Sequence, residues 1–183
     1  MKVDFSKVTK IKLTEVDSLD AVTVFLDDFE PGRGKITIEC YCDTWCSYWG
    51  AMSGDTVSQF FQRANNDYLI NCLSRGISRR IMDDSNLNEF LHKKIIDMRK
   101  EDEISEDKAR DLWDYVEIQC SLDSDSHDVF YHVLGQEWWC YDFPERPNPD
   151  YVYLDKIVTA IKNSMKIMDN SFKLTTNGVT NVF

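Results

Sequence analysis

Residues 21–42 read AVTVFLDDFEPGRGKITIECYC, and this run decides the fold. From Ala21 to Glu30, Val22, Val24 and Leu26 alternate with Thr23, Phe25 and Asp27, the period of a half-buried strand. Pro31, Gly32, Arg33 and Gly34 then supply a turn. Lys35 to Cys42 alternates again, with Ile36, Ile38, Cys40 and Cys42 on one face and Thr37, Glu39 and Tyr41 on the other. The pattern predicts an antiparallel hairpin. The aromatic run from Trp45 to Met52, bounded by Gly50 or Gly54, extends it as a third strand.

Beyond Gly54 the period changes. Thr56 with Gln59 three residues on has the form of a capping box, and Val57, Phe60, Phe61 and Ala64 follow at helical spacing. Leu69, Ile70 and Leu73 predict a second helix ending near Gly76. Ser85 is placed as the cap of a helix striped by Leu87, Phe90, Leu91, Ile95 and Met98. Ser105 caps another striped by Ala109, Leu112, Trp113 and Val116. Val129–Leu134 and Glu137–Phe143 flank Gly135 and Gln136 and are expected to form a second hairpin on a type II′ turn. Leu154, Ile157, Val158, Ile161, Met165 and Met168 stripe a final helix. The expected fold is α+β: an antiparallel sheet built from two hairpin regions, packed against a helical middle and a C-terminal helix. Residues 1–169 are expected as a single domain and 170–183 as a C-terminal tail, either a short added strand or mobile.

Composition bounds the function. The chain has 183 residues, 43% of them hydrophobic, which suits a domain that buries a real core and excludes a disordered acidic chain. The opening Met1, Lys2, Val3, Asp4, Phe5 has no apolar signal region, and no run reaches the length a membrane helix needs. The expected location is therefore the cytoplasm, and the six cysteines are expected to be reduced thiols. The net charge is −11, yet residues 101–155 hold 16 acidic residues against Lys108, Arg110 and Arg146, a local net of −13. Such a block raises a negative potential, repels nucleic acid and favours encounter with a basic protein surface.

Cys40, Cys42 and Cys46 lie close enough to suggest a soft-metal site, but their spacing suits an alternating strand with Cys40 and Cys42 facing the core. His127, Asp128 and His132 with a cysteine suggest a nucleophilic pair or a metal ligand set, but on a strand His127 and His132 would point to opposite faces, a poor start for joint ligation. Asp123, Asp125 and Asp128 resemble the start of a calcium loop that lacks its later glycine and glutamate. Arg63, Arg75, Arg79 and Arg80 form a basic spot read as internal counter-charge. Phosphate loops, dinucleotide fingerprints, zinc-protease motifs and nucleophile elbows are all missing from the sequence. No catalytic residue, metal or cofactor is assigned.

The acids themselves carry the binding expectation. Asp107, Asp111 and Asp114 recur at helical spacing, where like charges repel by a few tenths of a kcal/mol each. The expected partner-binding set is Glu103, Glu106, Asp107, Asp111, Asp114, Asp123, Asp125 and Asp128, with Trp138 and Trp139 as aromatic anchors. The bland alternative is a solvated helix face. A further aromatic face, Tyr41, Trp45, Tyr48 and Trp49 on one hairpin with Tyr141 and Phe143 on the other, is explained in part by core packing.

FEPGRGKITIECY at 29–41, YWGAM at 48–52 and DYL at 67–69 together resemble small uncharacterised accessory proteins of tailed phages and enterobacterial prophages. The segment from Trp138 to Tyr153 is similar to the same group. The resemblance implies a phage accessory protein acting on a host system and brings no catalytic motif with it. The expected function is a non-enzymatic binder and inhibitor of a host nucleic-acid-handling defence protein (a CRISPR, restriction or nuclease component). It would use an acidic surface, DNA mimicry being the sharper form, and would contact neither nucleic acid nor membrane directly. The alternative is a small cysteine/histidine-dependent enzyme modifying a nucleotide or host protein. Oligomeric state and partner identity are open at this point.

Overall fold

A computed structural model describes residues 1–3, 6–121 and 126–177, without the side chains of residues 120, 121, 126 and 170–177. The fold is α+β with a long C-terminal helix, as the sequence predicts. The chain divides into two compact units: residues 1–79 with 149–183, and residues 80–148.

The first unit opens with a meander of β1 (Thr9–Leu13), β2 (Val22–Glu30), β3 (Arg33–Cys40) and β4 (Asp43–Trp49), antiparallel in the order β1-β2-β3-β4. The 21–42 hairpin is its centre, pairing Val24 with Ile38 and Leu26 with Ile36. Val22, Val24, Leu26, Ile36, Ile38 and Cys40 are all buried on one face, as their alternation requires. That face is covered by α1 (Val57–Arg63), α2 (Asn66–Leu73) and α6 (Pro149–Asn177), through Phe61, Leu69, Ile70, Leu154, Ile157 and Ile161.

The α1 start is held from two directions. Thr56 and Gln59 make the expected capping box, and Asp28 Oδ1 on β2 accepts the Val57 amide at 2.7 Å. Gly34 is a buried residue of β3 rather than part of the turn, which Pro31 and Gly32 make alone with Gly32 at φ +81°. The second strand also ends early. Cys40 closes a two-residue turn against Asp43, with Tyr41 at φ +54°, so Cys42 lies in the turn and is exposed rather than core-facing. The first strand, β1, was not anticipated, because its TKIKL alternation spans only five residues.

The second unit runs from β5 (Arg80–Met82) through α3 (Leu87–Lys100), α4 (Glu106–Ser121) and α5 (Ser126–Leu134) to β6 (Glu145–Pro147). Strands β5 and β6 pair antiparallel, so the two ends of the unit are tied together. Leu87, Leu91, Ile95, Leu112, Val116, Val129, Phe130 and Val133 form its core.

The expected second hairpin is absent. Its first arm belongs to helix α5 and its second holds a 3-10 turn at Trp138–Cys140. Val129, Phe130 and Val133, all buried, sit at helical offsets. Gly135, at φ +82°, terminates the helix and donates its amide to the Tyr131 carbonyl at 3.0 Å. A positive-φ glycine suits a helix end as well as a hairpin turn, and β-branched and aromatic neighbours favoured the wrong choice.

Ser85 does not cap α3. Asp83 instead organises a 3-10 turn at Asp84–Asn86, its carboxylate accepting from Ser85 Oγ at 2.5 Å and Asn86 Nδ2 at 2.7 Å. These bonds hold the Asp83 carboxyl below the usual carboxylate range, the Ser85 hydroxyl contributing most.

Candidate interaction surface

The acidic residues named from the sequence divide between elements. Helix α3 ends in a Schellman motif, with Asp102 at φ +57° and the Glu103 amide donating to the Met98 carbonyl at 2.9 Å. The reversal leads into α4, where Ser105 Oγ accepts the Lys108 amide at 3.2 Å as the expected cap. Glu106 and Asp107 occupy the first turn of α4, where negative charge is favourable to the helix dipole.

Helix α4 buries Leu112 and Val116 and leaves Glu106, Asp107, Asp111, Asp114 and Glu117 exposed. Their charges are unequally available. Arg110 pairs with Glu106 at 2.8 Å and reaches Asp107 at 3.8 Å. Glu117 Oε1 lies 3.5 Å from His92 Nε2 on α3. Asp111 and Asp114 meet no cation within 4 Å among the described residues, so their negative charge is uncompensated locally. Glu103 is exposed as well, and Asp128 is exposed in the first turn of α5. Asp123 and Asp125 lie outside the described residues.

The two aromatic anchors differ in exposure. Trp138 is half-buried, ringed by His127, Phe130 and Phe143 at centroid distances of 5.0, 5.4 and 6.2 Å. Trp139 is 65% exposed. The sequence reading missed a third tryptophan, Trp113, by placing it in the buried stripe of α4. It is 37% exposed and stacks on His92 at 3.7 Å with the rings 6° from parallel. It stands next to Asp114 in sequence and walls an apolar groove of about 340 Å³ between α3 and α4, floored by Ile95, Ile96 and Ala109.

Cys40 is buried, while Cys42, Cys46 and Cys140 are exposed. Cys40 Sγ lies 3.2 Å from the Tyr153 hydroxyl, and this bond, with burial, pushes the Tyr153 phenol up to about 12. His132 packs against Tyr115 at 4.3 Å within the second unit. Among the described residues no group of three His, Cys, Asp or Glu side chains could hold a metal ion. Likewise, no described helix is long and apolar enough to cross a membrane. Three of the four arginines of the basic spot face acids: Arg63 with Asp55 at 2.5 Å, Arg79 with Asp67 at 3.7 Å and Arg80 with Glu145 at 3.0 Å.

Charge segregates between the units. Residues 80–148 contain 8 basic and 18 acidic side chains, a net of −10, whereas the rest of the chain carries 13 and 14, a net of −1. A family model described as a phage family matches residues 1–166 of the chain. No curated protein matches it, and no solved structure does.

Proposed function

The chain belongs to this phage protein family, and from that premise we propose that it is a non-enzymatic accessory protein that docks on a basic, nucleic-acid-binding surface of a host protein. The target class is a defence component that handles nucleic acid, such as a CRISPR, restriction or nuclease subunit, met in the host cytoplasm. Binding there inhibits by occupying the surface that nucleic acid would use.

The observation that carries this reading is the segregation of charge into residues 80–148, with Asp111 and Asp114 on α4 facing no cation within 4 Å among the described residues. A unit of net −10 is repelled by nucleic acid and steered toward positive surfaces, with an association rate that falls as salt rises. Trp113, beside Asp114 in sequence, and Trp139 supply exposed aromatic contact area in the same unit, the residue type of an interface hot spot.

The test is capture from host lysate on the immobilised protein, beside the triple variant Asp107→Lys, Asp111→Lys, Asp114→Lys. A nucleic-acid-handling protein retained by the parent and lost by a folded triple variant is the expected result. Equal retention by both refutes the acidic docking face.

A further inference from the structure

We propose that β4 is a self-association edge, through which two copies of this chain pair antiparallel about a two-fold axis at Cys46. The sheet order leaves two outer strands, β1 and β4. An outer strand offers unpaired backbone groups to any extended chain, and proteins guard such edges with charge, above all lysine. Strand β1 is guarded in this way by exposed Lys10 and Lys12. Between Thr44 and Trp49, β4 carries no charged residue at all.

The geometry of β4 suits its own copy. Cys40 and Asp43 close a two-residue turn, so Asp43, Trp45 and Ser47 direct their backbone groups to β3, and Thr44, Cys46 and Tyr48 direct theirs to the open edge. Cys46 is the midpoint of the seven-residue strand, so a two-fold axis there uses its whole length. That register sets Cys46 against Cys46, Thr44 against Tyr48 and Trp45 against Ser47, with about six new backbone hydrogen bonds. It keeps the exposed residues Thr44, Cys46 and Tyr48 on one continuous face and half-buried Trp45 and Ser47 on the other.

Charge favours this occupant. Two copies of a −11 chain repel, so self-association needs a neutral contact, and the only acid of β4, Asp43, would meet Trp49 rather than another acid. Tyr48 of the edge strand stacks on Phe29 of β2 at 6.1 Å, each about half exposed, and is fixed by Arg33 at 3.1 Å. Arg33 is itself neutralised by Glu30 at 2.5 Å, so this stack adds apolar area without net charge.

Sedimentation equilibrium of the full chain under reducing conditions tests this. The expected result is a concentration-dependent doubling of mass. Cys46→Lys and Cys46→Glu, each placing like charges face to face across the axis, weaken it at least tenfold with circular dichroism unchanged. Mixing the two variants restores a dimer. A monomer at every concentration, a dimer indifferent to Cys46→Lys, or two weakened variants that fail to pair when mixed would each overturn the proposal.

Discussion

Gly34 shows how one residue without a side chain can join two elements. A Cβ there would collide with Val57 of α1 and stand 2.7 Å from the Asp27 carbonyl, a backbone atom that cannot yield. With the Asp28 carboxylate on the Val57 amide, this close approach docks α1 on the hairpin. Gly34→Ala should therefore destabilise the first unit by about 1–3 kcal/mol, as overpacking does. The check is faster hydrogen exchange at the β2 and β3 amides, and unchanged protection would contradict it.

Two tyrosines of α6 set a pH dependence. Burial and the Asp67 carboxylate push the Tyr151 phenol up to about 12, and the Cys40 bond with burial does the same for Tyr153. Both keep their protons in the folded state when the unfolded chain, with phenols near 10, has lost them. The folded state then binds more protons, so the stability these bonds contribute is full below pH 10 and is lost as pH rises toward 12. Urea midpoints between pH 9 and 12 should fall, and Tyr153→Phe should flatten that fall.

At the scale of elements, α4 holds like charges three and four residues apart at Asp107, Asp111, Asp114 and Glu117. Each such pair costs about 0.2–0.5 kcal/mol. Asp111→Asn should accordingly leave α4 equally or slightly more stable by thermal unfolding. A clear loss would mean that Asp111 is structural.

Elements were legible where local pattern and tertiary environment agreed. The 21–42 hairpin was readable because its alternation reflects one buried and one open face, and Thr56 because a capping box is satisfied locally. Helix α5 was not, because Val129, Phe130 and Val133 suit a strand by propensity, and only packing against Leu91 and Val116 selects the helix. The acids of the interaction surface were visible as composition. Which of them are paired was not, since Arg110 folds back on Glu106 and Asp107, while Asp111 and Asp114 meet no cation within 4 Å among the described residues. Trp113 was lost because helical spacing placed it in a buried stripe, whereas its stack on His92 holds it at the surface.

Across the whole molecule, the first unit is close to neutral and builds the sheet, while the second holds nearly all the net charge. This division separates two kinds of association. A neutral strand edge suits a contact that salt barely affects, because its bonds are between backbone groups. An acidic helical surface suits a contact that salt dissolves, because the Debye length shrinks from about 10 Å at 0.1 M to 3 Å at 1 M. Salt should thus strip a host partner from the protein without separating its two copies, which sedimentation at both ionic strengths would check.

Docking of the acidic unit on a basic host surface is the activity proposed for this protein. Its most direct measurement is mass spectrometry of what the immobilised protein retains from host lysate near 0.1 M and near 1 M salt, beside the Asp107, Asp111, Asp114 to Lys variant. One nucleic-acid-handling complex is expected at low salt, released at high salt and absent from the variant. Retention that survives both, or an identical set of proteins on parent and variant, would contradict it.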